Sequence, residues 1–70
     1  MRYKVPKLGE LIKKMKADGF EKSRTGDSSL AVKYSKGDIV IYTYLSMVHT
    51  DEKGLAYLDK NSFSYENTEI

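Results

Sequence analysis

Leu8, Leu11, Ile12 and Met15 recur at helical spacing and fall on one narrow stripe. The pattern predicts an amphipathic helix from Pro6 to about Asp18. Pro6 suits a first helical position, Glu10 stands four residues before Lys14, and Gly19 supplies the residue that closes a helix in the left-handed conformation. After Gly19 the period shortens from that of a helix to that of a strand. Phe20 to Thr25 reads as a short polar strand, Gly26-Asp27 as a turn, and Leu30 to Tyr34 as a second strand with one apolar face. Lys36-Gly37 then makes a tight hairpin.

Ile39 to about Val48, dense in Ile, Val, Tyr and Thr, is the strongest β signal and reads as one central strand. Alternation along it places Ile39, Ile41, Thr43, Leu45 and Met47 toward the helix, and Val40, Tyr42, Tyr44, Ser46 and Val48 on the opposite face. Asp51-Glu52-Lys53-Gly54 reads as the next turn and Leu55 to Leu58 as a fourth strand. From Asp59 onward the chain is too polar to assign, with Phe63 and Tyr65 available to tack it down. The expected fold is α+β in two layers, one N-terminal amphipathic helix packed on a three- to four-stranded antiparallel meander. It forms a single domain over 1–70, with 61–70 as a flexible acidic tail.

Composition narrows the functional classes. Seventy residues at 40% hydrophobic content support one thin core but not a deep pocket walled on every side, which excludes most metabolic enzymes. Without cysteine there is no disulfide framework and no thiolate metal site, so stability rests on packing or self-association. The longest charge-free stretch, Ile39 to Thr50, falls well short of the ~20 residues of a spanning helix. A reducing cytoplasm is the expected compartment. The net charge of +2 conceals an asymmetry: residues 1–50 carry ten Lys/Arg and five Asp/Glu, residues 51–70 two and five.

Candidate chemistry is sparse. His49 is the only histidine and reads as a strand-end residue before a turn. Gly26, Gly37 and Gly54 are spaced as hairpin punctuation, not as a phosphate loop, and the carboxylate pairs Asp51/Glu52 and Glu66/Glu69 sit in polar turn or tail sequence. No catalytic residue, metal or cofactor is expected, and the chain reads as a non-enzyme. The basic residues are more informative. Lys13, Lys14 and Lys16 lie off the apolar stripe, and Lys22 and Arg24 alternate on one side of the first strand, a candidate phosphate-facing surface. Tyr42 and Tyr44, with Tyr57 beside them on the fourth strand and Lys33 on the second, form a candidate aromatic platform for unpaired bases. The alternative is that the tyrosines shield the uncovered sheet face or bury it in a homodimer.

A helix carrying Leu8, Leu11, Ile12 and Met15, closed by Asp18-Gly19-Phe20 and followed by a polar strand and Gly26-Asp27-Ser28-Ser29, resembles HicA-type toxins over roughly the first half of the chain. Those are small ribonucleases with a double-stranded-RNA-binding-domain-like fold. Where that family places its active histidine, shortly after the turn glycine, this chain has Ser28 and Ser29, so ribonuclease activity is not carried over.

The expectation that follows is a small non-enzymatic accessory protein that binds and inhibits or modulates a protein partner. Small phage or mobile-element proteins, anti-defence and anti-CRISPR proteins included, are of this kind. The alternative is an RNA- or DNA-binding module that uses the basic residues on phosphates and the tyrosines on bases.

Overall fold

The computed structural model describes residues 2–24 and 31–68. In chain order it contains β1 (Arg2–Lys4), α1 (Leu8–Ala17), β2 (Glu21–Arg24), β3 (Ala31–Lys36), β4 (Ile39–Tyr44), β5 (Met47–Thr50), α2 (Glu52–Lys60) and β6 (Glu66–Asn67). The Gly26-Asp27 turn, Ser28, Ser29, Leu30 and Glu69 lie outside the described residues.

The apolar stripe of α1 does what its spacing predicts: Leu8, Leu11 and Met15 are buried. The helix closes through Gly19, whose φ is +88°. The Gly19 N–H donates to the Lys16 carbonyl at 3.2 Å and the Phe20 N–H to the Met15 carbonyl at 3.0 Å, satisfying two carbonyls that the helix end would orphan. Phe20 is thereby turned back into the core that holds Met15. Lys14 makes its ion pair with Asp18, at 3.5 Å.

The six strands form one antiparallel sheet in the order β2-β3-β4-β5-β1-β6. Tyr34 pairs with Ile41, Ile41 with Thr50, Thr43 with Val48, and Val48 with Tyr3. All six are buried, and paired residues share a face, so one side of the sheet meets the core. Leu11 and Met15 of α1 and Tyr57 and Leu58 of α2 belong to that same core, so both helices cover that side. The fold is α+β in two layers, as expected, with a second helix and more strands than the pattern showed.

Two assignments are corrected and one unassigned segment near the N-terminus is found to be a strand. First, Ile39 to Val48 is two strands, folded at Leu45-Ser46. Because Tyr44 pairs with Met47 across this two-residue turn, the alternation inverts: Val48 goes to the core and Met47 to the opposite face. Second, Leu55 to Leu58 lies in α2, not in a strand. Asp51 caps α2, its Oδ1 accepting from the N–H groups of Lys53 at 3.1 Å and Gly54 at 3.3 Å. The residues read as a turn are the first turn of the helix. Third, Arg2–Lys4 is a strand lying between β5 and β6, and the Val5 N–H after it donates to the Ser46 carbonyl at 3.3 Å.

At its far end α2 repeats the closure of α1. The Ser62 N–H donates to Asp59 and the Phe63 N–H to Leu58, but the left-handed position, φ +62°, holds serine instead of glycine. Ser62→Gly is expected to stabilise the domain by about 1 kcal/mol by removing the Cβ penalty of that conformation, read as a rise in melting temperature. Phe63 and Tyr65 are half-buried against the core, and Tyr65 meets Tyr3 edge-on with ring centroids 5.5 Å apart. Among the described residues, no helix is long and apolar enough to cross a membrane.

Candidate partner-binding face

Strand pairing decides which side chains share the face that neither helix covers. Across β3, β4, β5 and β1 the register aligns Lys33, Tyr42, His49 and Arg2 in one row. Two residues further along the strands it aligns Ala31, Tyr44, Met47 and Lys4, with Glu66 of β6 beyond Lys4. The rings of Tyr42 and His49 are tilted by 67° with centroids 6.3 Å apart, so they are not stacked on one another. Tyr44 is 46% exposed, and a broad hollow of about 780 Å³ opens between Tyr42, Tyr44, Met47, His49 and Arg2.

At one end of this face stands the β4–β5 turn. Leu45 is 70% exposed and has φ +55°. The neighbouring β3–β4 hairpin turns on Gly37-Asp38 with φ +59° at Gly37, so the same chain uses glycine at the equivalent position. A branched apolar residue in the left-handed region, and in water, is unfavourable on both counts.

The sequence-predicted site residues separate onto two surfaces. Lys33, Tyr42 and Tyr44 come together on the helix-free face, as expected. Lys13, Lys14 and Lys16 are exposed on α1, and Lys22 and Arg24 pair with Tyr34 and Val32, which places them on the helix side of the edge strand β2. The lysines of α1 and the two tyrosines therefore look out of opposite layers. Tyr57 leaves the platform altogether. It is buried on α2, its ring 5.0 Å from that of Phe20, and its hydroxyl donates to Asp18 Oδ2 at 2.6 Å.

The Asp18–Tyr57 junction couples two titratable groups. The hydrogen bond from Tyr57 holds the Asp18 carboxyl below its ordinary pKa against partial desolvation, with Lys14 and Lys36 adding their charge. Burial, and then the bond to Asp18, push the Tyr57 hydroxyl well above its ordinary value. Lys36 Nζ also donates to the Asp18 carbonyl at 2.6 Å. The cluster ties the end of α1 to α2 and to β3.

Arg2, Lys4, Met47 and His49 belong to the helix-free face and were not legible as such. The alternation Arg2-Tyr3-Lys4-Val5 was the available signal for β1, but Pro6 directs attention to a helix start. Among the described residues no three His, Asp or Glu side chains converge to hold a metal ion. No family model, curated protein or solved structure matches the chain.

Proposed function

We propose that this is a non-enzymatic binding protein that docks onto a macromolecular partner through the helix-free face of its sheet. The observation that carries the reading is the composition of that face: Tyr42, Tyr44, Met47 and His49 are flanked in register by Lys33, Arg2 and Lys4. Aromatic rings, methionine and arginine are the residues that make contact surfaces. Leu45 supports it, because an exposed leucine in a glycine conformation contributes nothing to folding that glycine would not do better. Modulation of the partner by simple occlusion needs no catalytic group.

The test is capture by the 70-residue chain, tagged at its C-terminus, crosslinked with formaldehyde in its native cells and purified under denaturing conditions. A protein or nucleic acid should be retained by the wild type and lost with Tyr42→Ser/Tyr44→Ser. Leu45→Gly should melt at a higher temperature than the wild type yet retain less partner. Equal retention by the tyrosine double variant would remove the face from the mechanism, and no retention by the wild type would end the binding reading.

A further inference from the structure

We propose that the occupant of the helix-free face is a single-stranded nucleic acid, an inference that rests on the binding reading above and names its partner. The two rows of the face repeat one arrangement. Each begins with a cation on β1, Arg2 or Lys4, continues to a soft or aromatic group on β5, His49 or Met47, and reaches a tyrosine on β4, Tyr42 or Tyr44. The rows lie two residues apart along the strands, about 7 Å. A sugar–phosphate backbone following β1 would place successive phosphates at Arg2 and Lys4. Their bases would then lie across the sheet toward Tyr42 and Tyr44.

Lys33 closes the first row on its far side, about 14 Å from Arg2 at three inter-strand steps. In the second row the corresponding residue is Ala31, whose small side chain leaves space beside Tyr44. Rings on a sheet accept any base by stacking, but only where the base is unpaired, because a duplex hides its base faces within its own stack. Charge complementarity and ring placement thus select a single strand over a duplex. A protein partner would use the rings but would not require cations spaced along β1. Among the described residues, Glu66 opposite Lys4, Glu21 opposite Ser35 on the same face, and Asp51 beside Tyr42 and His49 are carboxylates that oppose phosphate binding here.

The experiment is fluorescence anisotropy with the full chain and fluorescein-labelled ten-nucleotide uridine and thymidine strands, alongside a duplex of the same length. Single strands should bind, and neutralising two or three phosphates should make binding about 7- to 20-fold weaker at about 200 mM than at 50 mM salt. The two labelled strands decide between RNA and DNA. Tyr42→Leu and Tyr44→Leu should each weaken binding about 5- to 150-fold, the stacking of one base, while Tyr42→Phe keeps it. Glu66→Gln should tighten it. Lys13→Gln/Lys16→Gln, on the other layer, should leave it within about twofold, where Lys33→Gln or Arg2→Gln does not.

A duplex bound as tightly as the single strands would overturn the proposal, as would a larger loss from the α1 lysines than from Lys33 and Arg2. So would retention of affinity by Tyr42→Leu/Tyr44→Leu while circular dichroism shows each variant folded. If neither single strand binds at 50 mM salt but the tagged chain still retains a protein in a Tyr42- and Tyr44-dependent manner, the nucleic-acid inference falls and the binding face stands. Failure of both experiments removes both.

Discussion

Gly54→Ala is expected to remove a large share of the domain's stability, although it adds a single methyl group to a helix. Gly54 is buried in the first turn of α2, directly over Thr50 of β5. A Cβ there would overlap Thr50 Oγ1 and lie 2.8 Å from Thr50 Cβ and 2.9 Å from its Cγ2. Rotating the threonine gives no relief: its Oγ1 is engaged as a donor to the Val40 carbonyl at 2.7 Å, and no χ1 rotation moves its Cβ. The helix must lift from the sheet instead. Overpacking of this kind costs about 1–3 kcal/mol and more where the backbone has to move. That is a large share of the total for a domain of this size, about 4–10 kcal/mol. Urea unfolding of Gly54→Ala measures the loss, and adding Thr50→Ala should recover part of it by removing Oγ1 and Cγ2. A midpoint equal to that of the wild type would mean that α2 stands further from β5 than described.

Tyr57→Ala is the second large effect, about 3–5 kcal/mol on the scale of buried aromatic truncations. It removes the ring from Phe20 and the hydroxyl from Asp18 together, so it unlinks α2 from the end of α1. Tyr57→Phe separates the two contributions, because it keeps the ring and loses only the bond. The pair has a pH signature with two limbs, the acid one set first by the bond and the alkaline one first by burial of the Tyr57 hydroxyl and then by the bond. Asp18 has a folded pKa below its unfolded one, so its contribution is present above the ordinary carboxylate value and is lost as pH falls through the lowered one. Tyr57 has a folded pKa above its unfolded one, so its contribution is present below about 10 and is lost as pH rises toward the raised value. Melting temperature against pH should therefore fall at both ends more steeply for the wild type than for Tyr57→Phe. Curves that run parallel on the acid limb would show that the Asp18–Tyr57 bond adds nothing to folding.

The Asp18-Gly19-Phe20 run illustrates how much a local signal can carry. Its glycine was readable as a helix stop because the conformation is a property of the residue itself, and the structure finds Gly19 left-handed, as the pattern required. What the run does beyond that was not readable. Asp18 accepts from a tyrosine 39 positions away, and no pattern within a short window reports such a pair. Asp51 shows the opposite failure. Asp-Glu-Lys-Gly suits both a turn and a capped helix start, and what selects the helix is the fit of Gly54 against Thr50 together with burial of Tyr57 and Leu58. The reading of the central segment failed for another reason. Leu45-Ser46 holds none of the Gly, Asn or Asp that a two-residue hairpin turn ordinarily takes, so only the pairing of Tyr44 with Met47 reveals the fold-back.

By itself the sequence determined the two-layer α+β class, the apolar stripe of α1, its glycine stop, and the placement of Tyr42 and Tyr44 on the face opposite Ile41. Each follows from spacing within one element, where period and backbone propensity act over a few residues. Only the tertiary structure decided that Met47 joins the tyrosines and that Val48 does not, since a two-residue turn inverts the alternation. It also decided that Arg2 and Lys4 stand beside His49 and Met47, across more than forty positions of chain, and that Tyr57 is a buried link instead of a platform residue. The helix-free face is the product of strand order and register. These are set by which distant segments bury apolar surface together, and no window of the chain contains that information.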